Sequence, residues 1–351
     1  MEKINSDLSR RRLLFGGAAV GAGALLTACT SNEAAPTPAQ TKDTGNAEGN
    51  AAPGQKVVIG FSAPAADHGW IAAITNNAKA QAQAYSDVEF KSVEAGADAA
   101  AQRAALSTLI GQKPTVIVLL PHDGKELNSF GLEAMAAGIP VVNLDRAFPD
   151  ARAYRTQIKG DNYGMGVAAA DYIITQMKVK GVTAPIIGEI AGMDELELTQ
   201  ERSKGFSDTL AAAGFKVANR RAARFTVDSG QQEAAQLLQA LPKMDALWNH
   251  DDDQGVGVLA AINQAGRSEF IMVGGAGSKQ AIETIQADNT VLKATVTYSP
   301  SMASSAISLA RLIGQNKGMS DLVELQVPKD IVLASETITK GNASSYAKLG
   351  F

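Results

Sequence analysis

The sequence predicts an α/β protein of two doubly wound parallel-sheet lobes, and three observations lead there. From residue 56 onward, short runs rich in β-branched residues alternate with stretches of helical spacing, the pattern of a parallel sheet covered by helices on both faces. The plan runs through once and then repeats. The patterned stretch is roughly 300 residues long, more than a single hydrophobic core comfortably serves, so it divides into two lobes.

Residues 57–61, Val-Val-Ile-Gly-Phe, are the opening strand, and their nearly unbroken apolar content suits a strand buried on both faces. A helix follows at 71–85. Strands at 89–93, 115–120 and 141–144 and helices at 99–110 and 126–137 complete the first half. The second half carries a helix at 162–178, strands at 184–190, 216–222, 245–248 and 270–273, and helices at 198–213, 230–241, 255–265 and 279–287. A strand at 292–297, a helix at 302–314 and terminal strands finish the lobes.

Ligands of open α/β sheets bind outside the carboxyl ends of the strands. The loops there read Asp67-His68-Gly69-Trp70, Pro121-His122-Asp123-Gly124 and Asp145-Arg146 in the first half, and Phe225, His250-Asp251-Asp252-Asp253-Gln254 and Gly275-Ala276-Gly277-Ser278 in the second. Polar, planar and aromatic groups gather where chemistry is expected. Within the acidic run, Asp252 or Asp253 is expected to cap a helix and Asp251 to face a ligand. Trp248, in a strand, reads as core.

The first 55 residues follow another logic. Three arginines at 10–12 precede an uncharged run from Phe15 to Ala28 that ends in Leu-Thr-Ala before Cys29, the layout of an export signal. The run is too short for a bilayer-spanning helix, which needs about 20 apolar residues. Cys29 is the only cysteine, so no disulfide forms within the chain. Residues 30–55, rich in Ala, Pro, Thr, Asn and Gly with no apolar period, read as a disordered tether. Removing 1–28 takes away Lys3, the three arginines, Glu2 and Asp7, moving the formal net charge from −4 to −6. No basic face remains for nucleic acid.

The segment around Cys29 resembles a bacterial lipoprotein signal, in which cleavage precedes the cysteine and its sulfur is lipidated; a buried free thiol is the alternative. Arg10-Arg11 also resembles a twin-arginine signal, which leaves two export routes open. Lipidated Cys29 would hold the protein at the outer face of the cytoplasmic membrane without a transmembrane helix.

From about Lys56 to the C-terminus the chain resembles the periplasmic sugar-binding proteins of the ribose-binding type, soluble receptors of ABC importers with the type I periplasmic binding protein fold. The resemblance rests on Val141-Val142-Asn143-Leu144-Asp145-Arg146, Gly160-Asp161-Asn162-Tyr163-Gly164, Glu201-Arg202-Ser203-Lys204-Gly205-Phe206 and Asp251-Asp252-Asp253-Gln254-Gly255, in that order and spacing. Repressors share this fold, but an export signal stands where their helix-turn-helix would be.

The resemblance implies ligand-binding roles for Asp145, Arg146, Arg202, Phe225, Asp251 and Tyr298, with Trp70 as a further aromatic wall. Asp67, His68 and His122 join them as polar groups on the cleft loops. A sugar has hydroxyls on its rim and C–H groups on its faces, so it calls for charged donors and acceptors at the edge and rings above and below. Many relatives carry an acid where this chain has Ala276, and an amide where it has Tyr298. Ribose itself is therefore not the expected ligand; another aldose or a polyol is. The three histidines beside acids raise zinc as a ligand, but no closely spaced histidine pair supports a metal site.

No nucleophile elbow, phosphate loop or cofactor motif occurs, so an enzyme is not expected and no cofactor is implied. The expected organisation is a signal peptide at 1–28, lipidated Cys29 and tether to 55, an N-terminal lobe of 56–160 with 299–325, and a C-terminal lobe of 161–298 with 326–351. A three-strand hinge near Gly160, Ser299 and Pro328 would let a monomer close on one sugar or polyol and hand it to a permease with its ATPase. The alternative is a signalling receptor for an autoinducer-type furanosyl ligand.

Overall fold

A computed structural model describes residues 50, 52–93, 95–96, 98–319 and 326–351. The signal peptide, Cys29 and nearly all of the tether lie outside the described residues. In the first half, β1 (Val57–Ser62), α1 (Gly69–Gln83), β2 (Val88–Ser92), α2 (Ala99–Gly111), β3 (Val116–Leu119), α3 (Gly124–Ala136), β4 (Val141–Leu144) and β5 (Thr156–Gly160) follow one another. The second half begins with α4 (Asn162–Val179), β6 (Ile187–Ala191), α5 (Glu197–Ala212), β7 (Val217–Ala222) and α6 (Val227–Ala240). It continues through β8 (Ala246–Asn249), α7 (Asp252–Gln264), β9 (Ile271–Ala276), α8 (Lys279–Ala287) and β10 (Leu292–Thr297). The chain closes with α9 (Met302–Gly314), β11 (Asp330–Leu333), β12 (Thr337–Thr339) and α10 (Ala343–Tyr346).

These strands form two six-stranded sheets, ordered β11-β5-β4-β3-β1-β2 and β12-β10-β9-β8-β6-β7. The second repeats the first strand for strand, and every pair is parallel except β10 with β12. Each is the doubly wound order in which the chain reverses direction beside β1 or β6, the place where such sheets bind ligands.

In the first sheet, Ile59, Phe61, Val116, Val118, Val142 and Leu144 pack in one core layer with Ile71, Ile74, Ala306 and Ile307. Ile117, Leu119 and Val141 point the other way, onto Leu106, Leu109 and Leu127. This is the period-two alternation of a strand covered on both faces. Aspartates cap several helices that start at the carboxyl edge: Asp98 on α2, Asp123 on α3, Asp161 on α4 and Asp251 on α7 each accept from a backbone N–H of the first turn.

In the second lobe, α4 crosses α5 at Gly166, where an added Cβ would lie 2.1 Å from the Arg202 carbonyl oxygen and 2.6 Å from the Phe206 nitrogen. Two effects compete on Gly166→Ala. Helix propensity favours alanine by about 1 kcal/mol. The clash is with backbone, which yields only if the helices separate, and overpacking of this kind costs about 1–3 kcal/mol or more. The clash is expected to win: Gly166→Ala should lower the melting temperature, and because α5 carries Arg202 it should weaken ligand binding as well. A variant at least as stable as the parent would show that the helices slide apart freely.

At the base of the first lobe, Arg311 of α9 is 2% exposed and Asp87 is 6% exposed. Their fork-to-fork pair has Nε to Oδ1 at 2.7 Å and an NH2 nitrogen to Oδ2 at 2.6 Å. Arg311 also donates to the carbonyls of Asn50 at 2.5 Å and Ala52 at 2.8 Å, and the Gly54 N–H donates to Asp87 at 2.6 Å. The pair thus ties residues 50–54, just before β1, to α9.

The chain passes between sheets after Gly160, over Tyr298–Ser301, and between Leu333 and Thr337. The third passage corrects the expected boundary: the segment from 326 to Leu333 belongs with the first sheet, and the crossing falls after Leu333 rather than at Pro328. Asp330–Leu333 fills the open edge of β5 in parallel register, and the Gln157 N–H donates to the Lys329 carbonyl at 2.9 Å. An edge strand of mixed polarity carries no sequence mark for which sheet it joins.

Candidate ligand-binding site

The carboxyl ends of the two sheets converge on one cavity, at the place where open α/β sheets bind ligands. Its walls are His68, Trp70, Asp145, Arg146, Leu198, Arg202, Phe225, Asp251, Ala276 and Tyr298.

Asp145 and Arg146 are presented by a sharp turn. Asp145 has φ +66°, and the Arg146 N–H donates to the Leu144 carbonyl at 2.9 Å, a γ-turn of the strained positive-φ kind. Buried Asn143 holds it, its Nδ2 donating to the Arg146 carbonyl at 3.1 Å and its Oδ1 accepting from the Phe148 N–H at 3.0 Å. Arg146 donates to the His122 carbonyl at 2.5 Å. Its Nε is buried without a partner, 4.0 Å from Asp145 Oδ2, a donor and an acceptor spaced to share a polar group.

From the second lobe, Arg202 is 4% exposed, its Nε donating to Asn162 Oδ1 at 2.9 Å and its NH1 nitrogen to the His250 carbonyl at 3.2 Å. Asp251 both caps α7 and lines the cavity. Its Oδ1 accepts from the Asp253 and Gln254 N–H groups, which leaves Oδ2 outside the cap. Burial pushes the Asp251 carboxyl up to about 6, against the pull of His68.

Phe225 and Ala276 share Asp145's unusual backbone, with φ +63° and +96°. Strain of this kind persists only where the surroundings over-determine it, and it gathers at functional sites. Here Gln254 supplies the constraint: its Oε1 accepts from the Phe225 N–H at 3.1 Å while its Nε2 donates to Asn249 Oδ1 at 2.6 Å. The Phe225 ring lies over Gly192, where a Cβ would come within 2.0 Å of Cζ. Beneath Ala276, Asp252 accepts from the N–H groups of Gly275, Gly277 and Ser278 and from the Thr295 hydroxyl, so it shapes the turn and is not free to serve a ligand.

Trp70 and Tyr298 close the hinge end. Their ring centroids are 5.7 Å apart, and the Trp70 indole N–H donates to the Tyr298 carbonyl at 2.9 Å. The Tyr298 hydroxyl donates to Asp145, and the Trp70 N–H donates to Asp253 at 2.9 Å. The Tyr298 hydroxyl holds its proton well above the usual phenol range, through burial and the neighbouring Asp145. His68 lies 6.0 Å from the Phe225 ring, its Nδ1 2.5 Å from Asp67. Burial opposes its protonation, but the Asp67 hydrogen bond and the charges of Asp251, Asp67 and Asp253 outweigh that and raise its pKa above 6.5.

Eight of the ten residues singled out from the sequence therefore share one cavity. Asp67 stands behind His68 with its carboxylate largely exposed, and His122 offers Arg146 its carbonyl rather than its ring. His250 turns away into the core, 0% exposed, where its Nε2 meets Glu189 at 3.0 Å. Leu198, in the first turn of α5, lines the wall as well; an apolar side chain in an amphipathic helix carries no signal that sets it apart from core. Asn162 and Gln254, which orient Arg202 and Phe225, stood inside the quoted motifs unremarked. Among the described residues, no helix is long and apolar enough to cross a membrane.

Two parallel-sheet lobes whose strand ends meet at one cavity define a type I periplasmic binding protein. Residues 59–318 match the periplasmic binding protein domain, and the chain belongs to that family. It is 29% identical over 210 residues to the ribose import binding protein RbsB of Bacillus subtilis (strain 168), a match covering 60% of this chain and 66% of that one. A galactofuranose binding protein superposes with a TM-score of 0.75 at 21% identity, over 84% of this chain and 100% of the other. An ABC transporter solute binding protein from Mycobacterium smegmatis with bound glycerol gives 0.74 at 25% identity, over 84% and 98%.

Proposed function

We propose that this protein is an extracytoplasmic solute receptor that encloses one sugar or polyol between its lobes and delivers it to an ABC importer. The observation that carries the proposal is the composition of the cavity: aromatic rings of Trp70, Phe225 and Tyr298 together with Asp145, Arg146, Arg202 and Asp251. Rings suit the C–H faces of a sugar, and charged donors and acceptors suit its hydroxyls. The printed functions of the relatives, ribose import and galactofuranose binding, and the glycerol bound by a neighbour support the same ligand class. Wall groups from both lobes engage a ligand together only when the lobes are closed, so binding shifts the open–closed equilibrium by its differential affinity. Lipidation at Cys29, by its likeness to a lipoprotein signal, would keep the receptor beside its permease.

A thermal-shift screen of the 30–351 fragment against pentoses, hexoses, inositols and linear polyols tests the proposal. A ligand at 100 times its Kd adds about 2.7 kcal/mol to the folded state, enough to raise the melting temperature visibly. At least one member is expected to do so. Silence across the panel, with a shift from zinc or from an autoinducer-type ligand, would reject it.

A further inference from the structure

We propose that Tyr298 stands in, within the protein, for a ligand hydroxyl on Asp145, so that the hinge end of the site accepts a ligand edge bearing hydrogen instead of hydroxyl. The inference rests on the sugar or polyol reading and narrows it to ligands that lack one hydroxyl or one exocyclic carbon at that edge.

Asp145 is 3% exposed, and its two oxygens are divided. Oδ1 accepts from the Tyr298 hydroxyl, whereas Oδ2 stands 4.0 Å from the unpartnered Arg146 Nε. A ligand hydroxyl can bridge the second pair, but the first oxygen is already engaged. Tyr298 is not a side chain that swings aside. The Arg202 guanidinium lies 4.5 Å from its ring centroid, and its backbone is held by the Trp70 indole and by its own N–H bond to the Ala276 carbonyl at 3.0 Å. Its ring also rests on Gly160, where any Cβ would fall 2.2 Å from Cε2. The missing side chain at Gly160 makes room for the ring, so the two positions form one device at the crossing between lobes.

A site built to bond a hydroxyl rejects the analogue lacking it, because the buried partner is left unpaired. An acceptor satisfied from within exacts no such penalty. Removing the phenol hydroxyl restores the demand, since Asp145 Oδ1 is then open to the ligand.

The test is calorimetric titration of the wild type and of Tyr298→Phe with D-ribose, D-galactose, D-glucose and myo-inositol, each beside its singly deoxygenated analogues. Wild type is expected to bind at least one deoxy analogue within threefold of its parent, and Tyr298→Phe to bind that analogue at least tenfold more weakly than the parent. The phenyl ring preserves the packing; should that variant fail to fold, Tyr298→Leu removes the same donor. Identical parent-to-deoxy ratios in variant and wild type at every position would overturn the proposal, since a ring that only packs alters both ligands alike. So would a wild type that discriminates tenfold against every deoxy analogue. A wild type that binds neither the parents nor any deoxy analogue would instead count against the sugar and polyol reading itself.

Discussion

Asp145→Asn should weaken binding of the screened ligand about 30- to 150-fold, corresponding to about 2–3 kcal/mol, while moving the melting temperature of the ligand-free protein very little. Asparagine is the informative substitution because Asp145 sits at φ +66°, where Asn is tolerated and most other residues are not. An alanine variant would mix backbone strain with lost chemistry. The amide keeps size and turn but replaces a charge-assisted acceptor by a neutral one, and it places an N–H₂ group among the donors of Arg146 and Tyr298, where a carboxylate now mediates. Titration calorimetry alongside a thermal melt separates the two effects. Unchanged affinity would mean that the ligand sits elsewhere, while equal losses of affinity and stability would mean that Asp145 is mainly structural.

Much of this site was legible because its chemistry clusters at strand ends. The motif ending Asn143-Leu144-Asp145-Arg146 follows an apolar strand, and a charged pair there has little reason to exist except to face a cleft. The aromatic walls were legible for the same reason. What escaped was three-dimensional bookkeeping. Asp251 was expected to face a ligand and leave capping to its neighbours, yet one carboxylate does both: a helix that begins at a strand end points its first N–H groups along the cavity wall, so cap and wall coincide. His250 shares its loop with Asp251 but points to the opposite side of the strand end, into the core. Tyr298 was named as a contact, but its bond to Asp145 spans 153 positions and no local pattern encodes it. The passage of β11 into the first sheet was hidden likewise, since edge pairing depends on which edge is open and not on the strand's own residues.

Asp87→Asn should destabilise the first lobe strongly while leaving the cavity untouched. Breaking a buried ion pair strands the remaining charge, at a cost of about 3–5 kcal/mol. Arg311 keeps the carbonyls of Asn50 and Ala52, so the lower end, about 3 kcal/mol, is expected, or roughly 5 °C in melting temperature for a protein of this size. The pH dependence identifies the cause. The Arg311 guanidinium, with the Gly54 N–H and the Gln315 amide, holds the Asp87 carboxyl far below its ordinary 3.8. A depressed folded pKa means that this stability is fully present above the unfolded pKa of about 3.9 and is lost as pH falls toward the folded value. Urea midpoints of variant and wild type should therefore differ by a constant amount above about pH 5 and draw together below about pH 4. A gap that stays constant down to pH 3 would assign the loss to packing rather than to the carboxylate. Since the same carboxylate receives the Gly54 N–H, the variant should also be cleaved sooner by proteases between Asn50 and Lys56, with its ligand affinity unchanged.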